Sequence, residues 1–433
     1  MKIFSLIAGA GDMYCGSCLR DNALAGELKR RGHEVTLVPL YTPVRTDVAS
    51  YSEQQVFFGG ISVYLEQMSG IFQRLPKFLD KLWDLPGVIR AFAGRGLEVD
   101  PNHLGALTVS ILKGEHGRQK KEVDHLMQWL RHAPRPDVVT IPYTLLIGLA
   151  KPLKEAARRP VVCTLQGEEF FLEGLREPYQ SQALQLIRQQ VQDVDAFIAV
   201  SRYERDFMSD YLRIPREKIF VVKLGVDTAG TARREPGLAT DPVFGFLGRI
   251  APEKGLHLLV DAYIRLDAGG EPRDSSLHVA GYLPPERKAY LEEQRRKMIA
   301  GPGDLVYAGA PDWAGKMGFL QDVDILVMPS TFDEPKGLPA LEAMANGVPV
   351  IAPRRGAFPE MIEATGGGVL FEPDNVESLT AAMLACVRNW EATMEMGRRG
   401  YASVHAGWTL PHMAAHTEEV FREVARRRPI TVI

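Results

Sequence analysis

The sequence predicts an α/β protein built from two Rossmann-like, doubly wound parallel-sheet domains, and three observations lead there. Short apolar runs alternate along the chain with helical patterns: KIFSLIA, HEVTLVPL, DVVTIP, VVCTL, AFIAVS and IFVVK, then VFGFLG, LHVAG, LVYAG, ILVMPS and VPVIA. Strands separated by helices in this way belong to parallel sheets with crossover helices. A weak internal repeat, VQDVDAFIAVS at 191–201 and LQDVDILVMPS at 320–330, argues for two similar halves. Finally, 433 residues exceed what one core ordinarily serves, and DTAGTARREPGLATDPV at 227–243 is rich in Gly, Pro, Thr and charge, the composition of a linker. The expected organisation is an N-terminal domain over 1–226 with a helical insertion at about 45–130, a linker at 227–242, and a second domain over 243–408. A last helix in 409–433 is expected to pack back towards the N-terminal domain.

Read from the N-terminus, MKIFSLIAGAG is the first strand rather than a signal sequence, because its apolar part is brief and runs into a glycine-rich turn and a helix. Cys15 and Cys18 form a CxxC after that strand. Without a second CxxC or a close His/Cys cluster, a structural zinc site lacks half its ligands, and ordinary loop residues are the simpler reading beside a redox pair. Four cysteines in this length make no disulfide framework, so a reducing cytoplasm is the default compartment. No apolar run approaches the ~20 residues that span a bilayer. The segment 71–92, with aromatics and a mild basic excess, could rest peripherally on the inner face of a membrane. Packing over a neighbouring domain is the alternative, and Pro76 and Pro86 interrupt any long amphipathic helix there. A net charge of −3 and a pI near 6.4 give no footprint for nucleic acid, which needs a basic stripe.

The chemistry concentrates in two stretches. TFDEPKGLPALEAMANGVPVIA, 331–352, places Glu334 before a turn of Pro335, Lys336, Gly337 and Pro339, and Glu342 one turn inside the helix that follows. Pro339 suits a first helical turn, Gly347 suits the end, and VPVIA is a buried strand. Backbone N–H groups around Gly337 and Leu338 then point out of a helix N-terminus, a place for phosphate. VFGFLGRIAPEKGLHLLVDAY supplies Gly248 and Arg249 after a strand and Lys254-Gly255 entering a helix. Singly these are surface charges. Together, at the carboxyl ends of parallel strands where ligands of open α/β sheets bind, they make a diphosphate clamp.

These motifs resemble those of the retaining nucleotide-sugar glycosyltransferases of the GT-B fold, family 4. GRIAPEKG is similar to the family's GRxxxxKG, PSTFDEPKGLPALEAMANGVPVIA to its region with two glutamates eight apart, and RGAFPEMIEATGGGVLFEP to the segment that follows. CGSCLRDNALAGELKRRGHEV can be laid on the family's glycine pair, helix and RGHEV, with Cys15-Gly16 on the pair. GHEVTLVPLY and FGGISVYLEQ extend the likeness to starch and glycogen synthases. The resemblance implies two domains facing across a cleft and transfer of a sugar from a nucleoside-diphosphate donor to an unknown acceptor, with retention, by front-face attack. It implies no cofactor and no metal, although the repeated DxD also resembles a metal motif of other sugar-transferring enzymes. Arg249, Lys254 and Glu334 would be catalytic; Gly16, Gly248, Lys336, Gly337, Leu338 and Glu342 would hold the donor, Glu342 through the ribose diol. Gln166 and Glu168 would face the sugar or the acceptor. Lys336 stands where the family usually has an aromatic residue, and Gln166 where many members carry histidine. A GT-B epimerase or phosphorylase and a non-catalytic sugar-nucleotide sensor are the rival classes; no lysine-bound pyridoxal phosphate is indicated for a phosphorylase.

Overall fold

The computed structural model describes residues 1–9, 16–42, 50–53, 56–57, 101–233, 242–269, 275–301 and 305–427, the side chains of 101–103 excepted. Cys15, the segment 71–92 and half of the expected linker, 234–241, therefore lie outside the described residues. The chain forms two compact units: Met1–Val200 with Glu204–Val222 and Ala414–Ile433, and Ser201–Tyr203 with Lys223–Met413.

The first unit is a six-stranded parallel sheet, order β2-β1-β3-β4-β5-β6. Its strands are β1 (Lys2–Ile7), β2 (Glu34–Pro39), β3 (Val138–Ile141), β4 (Val161–Thr164), β5 (Ala196–Ala199) and β6 (Ile219–Val221). Covered on both faces, a central parallel strand has no reason to alternate polar with apolar residues. VVCT of β4 and AFIA of β5 are accordingly buried at every position. Phe4, Val139, Cys163 and Phe197 of the sheet pack in one core with Leu126, Met127, Leu153, Ile187 and Met208 of the helices. The strand order reverses between β1 and β3.

The second unit repeats the plan, with β7 (Val243–Leu247), β8 (Ser276–Ala280), β9 (Leu305–Tyr307), β10 (Ile325–Val327), β11 (Val350–Pro353) and β12 (Gly368–Phe371) in the order β12-β11-β10-β7-β8-β9. Renumbered from β7, that is 3-2-1-4-5-6 read from the β9 edge, the dinucleotide-fold order, with its switch point between β7 and β10. The edge strand β12 is absent from the sequence-based strands. The glycines of its GGGVLF break the apolar pattern that marks the other strands, and they serve contact: a Cβ on Gly367 would lie 2.8 Å from both Gly400 Cα and Met344 Sδ.

The repeated DxD has the same structural task in both units. Asp195 accepts the Val161 N–H at 2.8 Å and donates its own N–H to the Val161 carbonyl at 2.9 Å. Asp324 does the same with Val243, at 2.9 Å each way. Each aspartate thus staples the start of a neighbouring strand, at the amino end of its sheet. The final helix, Leu410–Arg426, is divided between the units, its residues from Ala414 on belonging to the first. There Glu418 accepts hydrogen bonds from Arg31 at 2.9 and 3.1 Å and lies 3.2 Å from His33 Nε2. Among the described residues no helix is long and apolar enough to cross a membrane, and no group of His, Cys, Asp and Glu has the arrangement of a metal site.

Candidate active site

The two motif stretches leave the carboxyl ends of β7 and β10, the strands that flank the switch point. After β7, Gly248 keeps the sheet pairing, its N–H donating to the Ala280 carbonyl at 3.0 Å. Arg249 follows, half-exposed and ion-paired with Glu253. A 3₁₀ turn, Pro252–Lys254, then hands the chain through Gly255 to the helix Leu256–Ala268. Gly255 has φ +77°, and a Cβ there would stand 1.8 Å from the Pro329 carbonyl oxygen. Only glycine allows the β7 loop to lie this close to the β10 loop. The Thr331 N–H, donating to the Glu253 carbonyl at 3.0 Å, fastens the same approach.

That approach brings Lys254 and Glu334 together. Lys254 Nζ lies 2.5 Å from Glu334 Oε2 and 4.6 Å from the centroid of the Phe332 ring. Glu334 is buried, and its carbonyl accepts the Ala357 N–H at 2.8 Å. Gly356, at φ +58°, passes so near that a Cβ would be 2.5 Å from that carbonyl oxygen. Backbone contacts on both sides thus fix the acid. Beyond it, half-buried Lys336 and left-handed Gly337 lead into the helix Leu338–Ala345, with Pro339 in its first turn. The helix N-terminus and the cations Arg249 and Lys254 therefore rise from loops joined at one sheet edge. Both cations carry a carboxylate partner, which the sequence alone did not indicate.

Glu342 sits one turn inside the helix and is paired with Lys316, Oε1 to Nζ 2.7 Å, both side chains about one-eighth exposed (12%). Lys316, from the helix Trp313–Asp322, also lies 5.2 Å from the Trp313 ring centroid. Sequence reading missed Lys316, because no local pattern links it to a glutamate 26 residues on.

The remaining sequence-derived residues are in the first unit. Gly16 opens the helix Gly16–Arg30 and is exposed. Gln166 and Glu168 follow β4 and are buried. Glu168 Oε1 accepts the Thr144 N–H at 2.7 Å and the Thr144 hydroxyl at 3.2 Å, and Oε2 accepts the Gln166 N–H at 2.8 Å. Its two oxygens thus hold together the loops after β3 and β4. The neighbouring Cys163 thiol is pushed well up by burial, with the Glu168 charge adding to the effect. It is an inert core thiol.

Comparison with known proteins bears on the fold and the family. Residues 230–403 match the family model "Glycosyl transferases group 1" and residues 88–229 match "Glycosyltransferase Family 4". The chain is 30% identical to the MMP alpha-(1->4)-mannosyltransferase of Mycolicibacterium hassiacum over 51% of its length and 52% of that protein. It is 30% identical to the D-inositol 3-phosphate glycosyltransferase of Segniliparus rotundus over 51% of its length and 50% of that protein. The chain thus spans about half the length of these two relatives. Against an uncharacterized glycosyltransferase of Methanocaldococcus jannaschii, 23% identity extends over 94% of both chains. The solved structure of Anabaena HepE with UDP and glucose superposes with a TM-score of 0.67 at 17% identity, covering 98% of this chain and 100% of that one. Sucrose-phosphate synthase of Thermosynechococcus elongatus gives 0.67 at 17%, covering 98% of both. By its paired dinucleotide-type sheets and by the two family models that tile residues 88–403, the chain belongs to the glycosyltransferases of the GT-B fold.

Proposed function

We propose that the protein transfers a sugar from a nucleoside-diphosphate donor to a hydroxyl acceptor, with retention and without a metal. The observation that carries this reading is the meeting of Lys254 and Glu334 where the β7 and β10 loops join at the switch point. In this reading Glu342 accepts the ribose diol, a task for an ionised two-oxygen acceptor. Gly248, Lys336, Gly337 and Leu338 border the phosphates, and Glu334 addresses the donor sugar's hydroxyls. Solved structures of the same fold hold UDP-glucose and, in a starch synthase, ADP, so UDP- and ADP-sugars are the first donors to try.

The step is a substitution at the anomeric carbon. Its bond to the phosphate oxygen breaks, a bond to the acceptor oxygen forms on the same face, and the acceptor's proton passes to the departing diphosphate. Arg249, Lys254 and the helix N-terminus stabilise the charge that develops on that leaving group. Double displacement would need a carboxylate nucleophile free to attack. Glu168 is braced by backbone donors, and Glu334 is paired with Lys254, so neither supports that route.

The test is a screen of UDP-, GDP- and ADP-sugars for thermal stabilisation, where a ligand at ~100 times its dissociation constant adds ~2.7 kcal/mol. Turnover of the stabilising donor is then followed in EDTA, with the anomeric configuration of the product read by NMR. Retained configuration and undiminished rate are expected. An inverted product sinks the retaining assignment, strict dependence on Mg²⁺ or Mn²⁺ sinks metal independence, and binding without turnover across a broad acceptor panel favours a sensor.

A further inference from the structure

The helix Tyr179–Gln190 turns Ala183 and Ile187 into the core of the first unit and leaves Ser181, Gln185, Arg188 and Gln189 on its other side. That is the division a surface helix shows at its 3.6-residue period. Beside the polar side opens a groove of about 460 Å³, lined by those four residues, Leu184 and Arg213, a volume in the range of small-ligand sites. Its chemistry is one-sided, since two guanidinium groups, two amides and a hydroxyl border it and no carboxylate does. Glu177, one turn before Ser181, directs its oxygens to that residue, accepting from the hydroxyl at 2.7 Å and from the N–H at 3.4 Å. Neither arginine of the groove has a counter-ion among the described residues. Arg188 Nε and Nη2 donate to the Tyr211 carbonyl at 3.3 and 2.8 Å, near the end of the helix Arg202–Leu212. That contact fixes the guanidinium plane, and Nη1 is left unburied and without a protein partner among the described residues. Arg213, from the turn after that helix, is exposed and makes no hydrogen bond or ion pair with any described residue. Its neighbours are paired: Arg205 lies 2.9 Å from Asp206, and Arg216 reaches Asp206 at 3.9 Å and Asp210 at 3.8 Å.

Two like charges on one groove repel, and an anion between them turns that repulsion into attraction. A guanidinium presents its N–H groups in a planar fork that matches the oxygens of a phosphate. A phosphate monoester carries a charge of about −1.5 to −2 at pH 7, which balances two arginines, whereas a carboxylate balances one. Gln185 and Gln189 each offer a donor and an acceptor, the complement of hydroxyl groups on the ligand's body, and Leu184 alone gives an apolar body little to bury against. We propose that this groove binds a phosphate monoester, with its phosphate between Arg188 and Arg213 and a hydroxylated body along Gln185 and Gln189. The site is separate from the loops after β3 and β4 that carry Gln166 and Glu168, because its two arginines precede β5 and β6. It stands independently of the transfer reading. The same phosphate group reaches a protein either on a soluble ester or on a lipid headgroup.

The test uses the full chain and phenylglyoxal, which modifies accessible guanidinium groups, with each arginine followed by peptide mass spectrometry. For a dissociation constant on the order of 1 mM, roughly 10 mM glycerol 3-phosphate should slow the labelling of Arg213 about tenfold. Sodium chloride and sodium acetate at matched ionic strength should change it by less than about twofold, which separates binding from screening. Arg205 and Arg216 serve as internal controls and should be labelled at an unchanged rate. Arg188→Gln should bring the protection of Arg213 below about threefold, since one guanidinium then holds the phosphate alone. Arg213→Gly relieves a left-handed backbone, φ +59°, and so spares the fold; it should likewise remove the protection of Arg188. Protection of Arg213 that acetate matches, or that survives Arg188→Gln undiminished, overturns the proposal. A second arm replaces the soluble ester by phosphatidylcholine vesicles with and without phosphatidic acid. Protection by glycerol 3-phosphate assigns a soluble ligand, protection by the phosphatidic acid vesicles alone assigns a lipid headgroup, and protection by neither overturns the site.

Discussion

Lys254 and Glu334 are 80 residues apart in sequence and 2.5 Å apart in space. The motifs named both as site residues, because GRxxxxKG and the paired glutamates are local patterns, but the contact belongs to the fold and was not legible. Removing the lysine takes away a preorganised cation and strands a buried carboxylate. Lys254→Ala is therefore expected to lower kcat/KM by roughly 10²- to 10³-fold, and Arg249→Ala by a similar factor, with the fold retained. Steady-state kinetics beside melting curves decides: near-normal turnover in both variants ends the diphosphate-clamp assignment. Lys316 shows the opposite case, a residue invisible to motif reading because it reaches Glu342 across two helices. Holding a part-buried acid in place at 2.7 Å, it should support the ribose contact. Lys316→Met is expected to weaken nucleotide binding about tenfold, the scale of a charged hydrogen bond, while leaving the turnover of bound donor nearly unchanged. A variant with wild-type UDP affinity would show that the pair plays no part in binding.

At the scale of elements, hydrophobic runs made most of the parallel strands readable, since central strands buried on both faces leave an unbroken apolar signature. The exception, β12, failed for a physical reason: its glycines obey a packing demand from Met344 and Gly400 that no strand pattern encodes. Loop joining was equally hidden. Gly255 looks like an ordinary helix-start glycine in GRIAPEKG, yet it is the point at which the β7 and β10 loops touch. Gly255→Ala combines left-handed strain with a Cβ set against the Pro329 carbonyl. It should cost at least about 2 kcal/mol of stability and also lose donor binding, because the Lys254–Glu334 approach depends on the same contact. Urea midpoints and UDP titration measure the two losses. A variant that binds nucleotide normally at full stability would refute the joined-loop account.

For the molecule as a whole, the sequence indicated two similar sheets and a terminal helix, while the division of that helix between the units emerged only from the contacts. Glu418 is its tie to the first unit. Burial alone would push this carboxyl up, but hydrogen bonds from Arg31 and His33 and the charges of His33 and Arg422 outweigh it and bring it down to about 2. A carboxyl lowered in the folded state adds stability that is fully present above its ordinary value of 4.5 and is lost as pH falls towards about 2. Glu418→Gln removes the charge and keeps the shape. At pH 7 the variant should be less stable by about 1–3 kcal/mol, the range for hydrogen bonds to a charged group. Below pH 4.5 the wild type should converge on it, with roughly half the gap or less remaining at pH 3. His33 also contacts Glu418 and faces the N-terminal amine at 3.0 Å, so the series is repeated in a His33→Gln background. There the convergence should persist, since Arg31 and Arg422 still hold the carboxylate. Denaturant midpoints of the two proteins from pH 7 to pH 3 supply the test, and a gap that stays constant across that range would mean that Glu418 does not anchor the helix through its charge.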